Sequence, residues 1–399
     1  MTTANAELFT PAFQTNPHPV YARLRTDEPV QLVTMPGGNQ AWLVTRYEDA
    51  RQALADPRFS KRGVLTPTGP NGLVDPAVLE AMNTHMLTAD PPDHTRLRRL
   101  VSAAFTNRRV DLLRPRIEEI TTGLLDAMAG RDEVDLIDAF AFPLPIQVIC
   151  ELLGVPAEDR ESFREWSDTI VTGVLAGDRL PWAFASMLDY LREMLARKRV
   201  EPADDLVSAL IEVREEGDRL AENELTSTVF LLLIAGHETT VNLLGNAVYL
   251  LLSQRERWEE LRADPELLPS AIEEFLRYES PVETATFRIA VADVELGGVT
   301  IPAGDPVLIG LLSGNRDDRR FAAAERFDLA RRDNAHLAFG HGIHYCLGAP
   351  LARLEARIAL GALLARYGDL RLAVDPADVL WRPGVLMRGL TGLPVTGLG

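Results

Sequence analysis

The sequence predicts a mainly α chain with a small β portion. Apolar residues recur at helical spacing through most of its 399 residues, while strand-like runs are few and short. The most apolar stretch, VFLLLIAG at 229–236, is followed by the polar HETT and then by VNLLGNAVYLLL. That run is too short to span a membrane by itself, so it reads as a buried central helix.

In chain order, PHPVYARLRTD (17–27) opens with proline and carries a helical apolar pattern. QAWLVTR (40–46) reads as a strand. DDLVSALIEVREEG begins with an acidic first turn, and its helix should end on Gly217. LPSAIEEFLRYESPV should be helical from near Ser270 and stop before Pro281, because a residue preceding proline is pushed out of helical geometry. TFRIAVADVELGGVTIPAGDPVLIG (286–310) should be strands broken by Gly-Gly and Pro-Ala-Gly-Asp turns. APLARLEARIALGALLARYGD has proline in its first turn and Gly368 near its end. The C-terminal PGVLMRGLTGLPVTGL is expected to add a hairpin. No repeat or low-complexity linker divides the chain.

An apolar content of 46% and a charged content of 25% suit a soluble globular protein. Two cysteines make no disulfide framework, which points to a reducing compartment. The N-terminus has no basic region followed by an apolar one, so neither signal peptide nor membrane anchor is expected. A formal charge of −17 argues against a nucleic-acid partner.

One of the two cysteines, Cys346, sits in FGHGIHYCLGAPLARLEA (339–356), in a glycine-rich turn at the mouth of a helix. Backbone N–H groups and the helix dipole favour its thiolate there. Such a thiolate suits a nucleophile or a metal. No second cysteine lies near it for zinc, and His341 and His344 are too close for a tetrahedral site with it. A cysteine hydrolase with distant His and Asn or Asp partners stays open.

The stretch resembles the haem-binding loop of the cytochrome P450 superfamily. That family's F-G-x-G-x-x-x-C-x-G is met by Phe339, Gly340, Gly342, Cys346 and Gly348. The resemblance implies a single haem-thiolate domain over residues 1–399 with haem b (iron protoporphyrin IX), Cys346 being the axial metal ligand. Phe339 would shield the sulfur, and Gly340, Gly348 and Ala235 would lie against the cofactor.

Three further stretches agree with it. AGHETTVN (235–242) places Gly236 and two threonines in an apolar helix and matches the family's A-G-x-[DE]-T. This implies that Glu238 and Thr239 handle protons for oxygen activation. Glu274 and Arg277 in EEFLR stand at i,i+3 and match the E-x-x-R pair, with Arg326 as the third member of that structural network. His94 and Arg98 stand at i,i+4 in DPPDHTRLRRLV; with Arg288 and His344 they are implied propionate partners. Spacing and order are similar to soluble actinomycete enzymes that hydroxylate or epoxidise macrolides, polyketides and steroid-like molecules in secondary metabolism.

The resemblance implies a cytoplasmic monooxygenase using O2 and a lipophilic substrate. With no flavin, dinucleotide or iron–sulfur motif in the chain, ferredoxin and ferredoxin reductase would be separate electron donors. Seven arginines against one acid between 96 and 116 suggest a basic docking patch for an acidic ferredoxin; a solvated helix face is the plainer reading. The pocket should draw on residues 61–93 as a mobile lid, on 165–185, on Leu232–Ala235, on VETATF and on MRGLTG. A rival class, a haem-binding gas or redox sensor without turnover, has no use for the Glu238–Thr239 pair.

Overall fold

The structure is a computed structural model and describes residues 7–36, 38–62, 74–214 and 217–399. Its helices of seven or more residues are α1 His18–Asp27, α2 Tyr47–Ala55, α3 Pro76–Asn83, α4 Asp93–Ala104, α5 Arg114–Met128, α6 Pro143–Leu153, α7 Arg160–Thr172, α8 Arg179–Val200, α9 Leu206–Glu212, α10 Glu222–Ser253, α11 Arg255–Ala263, α12 Leu268–Tyr278 and α13 Ala349–Arg366. Its strands are β1 Val30–Thr34, β2 Gln40–Val44, β3 Phe59–Ser60, β4 Glu133–Asp135, β5 Thr284–Ala290, β6 Val294–Leu296, β7 Val299–Ile301, β8 Pro306–Gly310, β9 Arg371–Leu372 and β10 Pro394–Thr396. The mainly α reading with a small sheet portion is what forms.

The chain divides into two compact units. The first comprises residues 1–60, 117–144 and 239–399. Its five-stranded sheet runs β1-β2-β8-β5-β3, with β2 and β8 parallel and Leu43 opposite Leu308. Val30, Val44, Tyr47, Ala290, Ile309 and Phe321 share one buried cluster on this sheet; Phe13, Tyr21, Leu24, Val33 and Leu312 form another. β6 and β7 make the hairpin expected from Gly297-Gly298, both at positive φ. Of the expected C-terminal hairpin only a single antiparallel bridge forms, Trp381 opposite Leu390, with Arg382 N–H donating to Gly389 O at 2.9 Å and Thr391 N–H to Leu380 O at 2.8 Å. β10 instead pairs with β4 and β9 in a separate sheet, joining residues 133–135 to the chain's end.

The second unit comprises residues 61–116 and 145–238. α7 and α8 pack through Phe163 and Tyr190, edge to face at 4.8 Å. α9 is shorter than its sequence pattern: Asp205 caps it by accepting from Ser208 N–H at 2.8 Å, and it stops at Val213, which is extended. Of the expected lid at 61–93, residues 63–73 lie outside the described residues; residues 76–83 are α3, started by Asp75.

α10 is continuous over 32 residues, since HETT stays helical. It is therefore long and apolar enough to cross a membrane, contrary to the length read from the apolar run alone. Of its most apolar window, 67% is buried inside the protein, which is how a central core helix behaves.

Candidate active site

The cysteine loop is built by short backbone bonds. Gly340 N–H donates to Leu337 O at 2.8 Å, Tyr345 N–H to Gly342 O at 3.1 Å, and Cys346 N–H to Phe339 O at 2.9 Å. Gly342 has φ +73°, and a Cβ there would stand 2.9 Å from Leu54 O and 3.2 Å from Ala55 Cα. Only glycine lets the loop lie against the end of α2. Cys346 is exposed and stands three residues ahead of α13. Cys150 is the opposite case: burial pushes its thiol to about 12, so it is an inert core residue. Arg353 lies 4.4 Å over the Phe339 ring and binds Glu273 at 2.7 and 2.8 Å. Burial pushes the Glu273 carboxyl up, but Arg353 and His336 more than offset this and hold it at about 2.

Behind this loop, Glu274 and Arg277 form the expected pair. Both side chains are fully buried, and two bonds of 2.8 and 2.9 Å join them. Such a pair is stable only if its remaining valences are met. Arg277 also donates to the carbonyls of Asn315, Ala324 and Arg326. Glu274 accepts from Asp328 N–H at 2.9 Å, Arg331 Nε at 3.0 Å and Asn334 Nδ2 at 3.2 Å. The third guanidinium is thus Arg331, not Arg326. Arg326 contributes its carbonyl, and its side chain is exposed and turned to Asp328. Arg331 lies 57 residues from Glu274, beyond any local spacing.

Along α10, Leu232, Ala235, Gly236 and Thr239 are exposed or half-buried within a mostly buried helix, at i, i+3, i+4 and i+7. One stripe of the central helix is therefore open, with small residues at its middle. Gly236 is also needed for packing, since a Cβ there would stand 2.8 Å from Ile149 Cδ1 of α6. Glu238 is buried. Its neighbour His237 is buried too, with Nδ1 2.7 Å from Leu233 O, and Nε2 3.2 Å from Ser167 Oγ of α7 and 3.5 Å from Glu238 Oε1. Neither His237 nor Ser167 stood out in the sequence, although His237 lies inside the AGHETT motif.

The second unit carries His94, Arg98, Ala235 and Glu238; the first carries Thr239, Arg288, Phe339, Gly340, His344, Cys346 and Gly348. His94 on α4 and Arg288 on β5 are buried, while Arg98 and His344 are half-buried. Within the first unit the residues fit a haem: one exposed thiol sits in a backbone-closed turn, a Cβ on Gly348 would come 3.9 Å from its sulfur, and the buried guanidinium of Arg288 suits a carboxylate. Among the described residues no cluster of three His, Cys, Asp or Glu could hold a metal by itself.

The basic stretch between 96 and 116 is more neutral than its sequence. Arg96 pairs with Asp218 at 3.2 Å and with Glu224, Arg116 with Glu151 at 2.6 Å, and Arg109 approaches Asp204 at 3.5 Å. Arg108 and Arg114 are exposed beside Leu112, which is 69% exposed.

The family model for Cytochrome P450 matches residues 183–388. Cytochrome P450 107B1 of Saccharopolyspora erythraea is 54% identical over 392 residues, 97% of this chain and 96% of that one. The chain belongs to the cytochrome P450 family. The vitamin D(3) 25-hydroxylase of Pseudonocardia autotrophica is 48% identical over 395 residues, 99% of this chain and 97% of that protein. The tirandamycin C-bound P450 monooxygenase TamI superposes with a TM-score of 0.89 at 50% identity, covering 97% and 99% of the two chains. This P450 is a monooxygenase with haem b as cofactor; it needs O2 and redox partners and acts on lipophilic substrates. The sensor alternative has no support.

Proposed function

We propose that residues 1–399 form one P450 domain in which Cys346 holds the haem iron, and that it oxidises a macrolide, polyketide, terpenoid or steroid-like compound in the cytoplasm. What carries the reading is the exposed thiol of Cys346 in its glycine turn at the head of α13. Bound haem b supplies the oxygen chemistry. The chain's own residues do the rest. His94, Arg98, Arg288 and His344 hold the propionates, and Phe339, Gly340, Gly348 and Ala235 lie against the ring. The Glu274–Arg277 pair, with Arg331, braces the loops behind it. Glu238 and Thr239 hold and pass protons at the open stripe of α10, a contribution typically worth ~10²–10⁴-fold.

Electrons come singly from a ferredoxin served by its reductase. The docking surface narrows to Arg108 and Arg114 beside Leu112, with Arg109 at its edge approaching the exposed Asp204, since Arg96 and Arg116 are engaged with acids of the same unit. A spectral-shift screen of polyketide and sterol-like compounds identifies ligands. With one of them, Thr239→Ala lowers product formed per electron pair consumed and raises peroxide release. Unchanged coupling removes Thr239 from the relay.

A further inference from the structure

The two loops expected to wall the pocket, VETATF and MRGLTG, meet within the first unit. Glu283 N–H donates to Leu386 O at 2.9 Å, Arg388 N–H to Pro281 O at 2.9 Å and Thr284 Oγ1–H to Val385 O at 2.8 Å, while Val282 and Met387 form an antiparallel bridge. The second loop also lies on α10. Asn246 Nδ2 donates to Arg388 O at 3.0 Å, and a Cβ on Gly389 would stand 1.9 Å from Asn242 Oδ1. Asn242 follows Thr239 by three residues, on one helix face. The joined loops thus reach α10 within a turn of Thr239, with Val282, Leu386 and Met387 half-buried.

Both loops are also gripped by the N-terminal segment. Tyr21 Oη–H donates to Glu283 Oε1 at 2.7 Å. Gln14 binds Gly384 with both ends of its amide: Nε2–H donates to the carbonyl at 2.9 Å, and Oε1 accepts from the N–H at 3.4 Å. The Arg388 side chain is 3% exposed and lies 3.5 Å over the Trp381 ring. Its Nε donates to Glu279 Oε1 at 2.8 Å, Nη1 to Gln14 O and Nη2 to Thr15 O at 3.1 Å. A buried guanidinium is tolerable only with its valences met. Here Glu279 balances the charge, and two carbonyls from 374 and 373 residues earlier take the fork. Glu279 has further partners in His18 Nε2 at 2.9 Å and Arg316 Nη2 at 3.7 Å.

We propose that residues 14–21 are a brace that sets the position of the substrate. Through Arg388, Gln14 and Tyr21 they fix the two loops against α10, and so decide which carbon is oxidised. The three are positioning residues that act through the loops. The inference rests on the reading of this chain as an oxidase of lipophilic compounds whose pocket these loops wall. The planar fork matters more than the charge: lysine keeps a cation beside Glu279 but cannot span both carbonyls. A reacting group misplaced by about 1 Å can lose about 10²-fold in rate.

The test uses the full-length, haem-loaded enzyme and a ligand from the spectral-shift screen that yields more than one oxidation product. Arg388→Lys, Gln14→Ala and Tyr21→Phe should each change the product ratio by about threefold or more, and Arg388→Lys should weaken ligand binding by about tenfold. The double variant Gln14→Ala, Arg388→Lys should shift the ratio by less than the two single shifts multiplied, since both residues hold 384–388. The thiolate Soret band under carbon monoxide should stay as in the wild type, which separates a displaced pocket from a damaged haem site. Arg23→Ala, on the same N-terminal helix but exposed and paired with exposed Glu7, should leave the ratio unchanged. Wild-type ratios in both Gln14→Ala and Tyr21→Phe overturn the brace, however Arg388→Lys folds; so does an equal change in Arg23→Ala. A wild type that shows the thiolate band yet oxidises none of its ligands overturns the pocket reading, and the brace with it.

Discussion

Glu283 is a buried carboxyl held by Tyr21 Oη–H at 2.7 Å. Burial pushes it up to about 7; Tyr21 and Arg388 oppose that shift, and Glu279 adds to it. Its folded value lies above its unfolded value near 4.3. The contribution is therefore fully present below about 4.3 and is lost as pH rises from there through about 7, where the native state still holds a proton that the unfolded chain has released. The thermal midpoint of Glu283→Gln relative to the wild type should rise between about pH 4 and about pH 8; parallel profiles would contradict this. Arg331→Ala should cost about 1–3 kcal/mol in urea unfolding, because it strips a charged donor from buried Glu274. Arg326→Ala should stay within about 0.5 kcal/mol, as exposed substitutions do. Equal effects of the two would restore Arg326 to the network. The contrast marks what was legible at this scale. Glu274–Arg277 could be read because both partners lie within one helical turn. Arg331 and Ser167 could not, because their partners lie 57 and 70 residues away and only folding brings them together.

At the scale of elements, α12 and α13 followed their punctuation: Pro281 beyond one and Pro350 within the other mark ends that sterics impose. In α10 the apolar run alone was too short to span a membrane, but the helix continues through HETT, as two threonines read inside an apolar helix led one to expect, and its packing overrides their weak propensity. β10 was misassigned because both of its partners, β4 and β9, lie outside the segment that was read as a hairpin. The cysteine loop was legible down to its glycines, and Gly342 gives the sharpest test. An alanine there meets the backbone of Leu54 and Ala55 at a positive φ. Gly342→Ala should lose about 1–3 kcal/mol of stability and reduce the haem retained on purification, measured as the Soret-to-protein absorbance ratio. Full haem loading at wild-type stability would contradict the loop's proposed packing.

For the whole molecule, a formal charge of −17 coexists with a local surface of exposed arginines at 108 and 114. Reduction by an acidic ferredoxin should slow as ionic strength rises from 0.05 to 0.5 M. The double charge reversal Arg108→Glu, Arg109→Glu should slow it further at low salt, in stopped-flow measurement. Rates indifferent to both changes would leave the stretch as a solvated face. Every role assigned above depends on sulfur from position 346 reaching iron. The most direct measurement is the absorbance of the reduced, haem-loaded protein under carbon monoxide. The Soret band should move to the long-wavelength position of a thiolate-bound haem, and Cys346→His should abolish that shift while haem is retained. An unshifted band in the folded wild-type enzyme, or a shifted band that survives the substitution, would contradict the assignment.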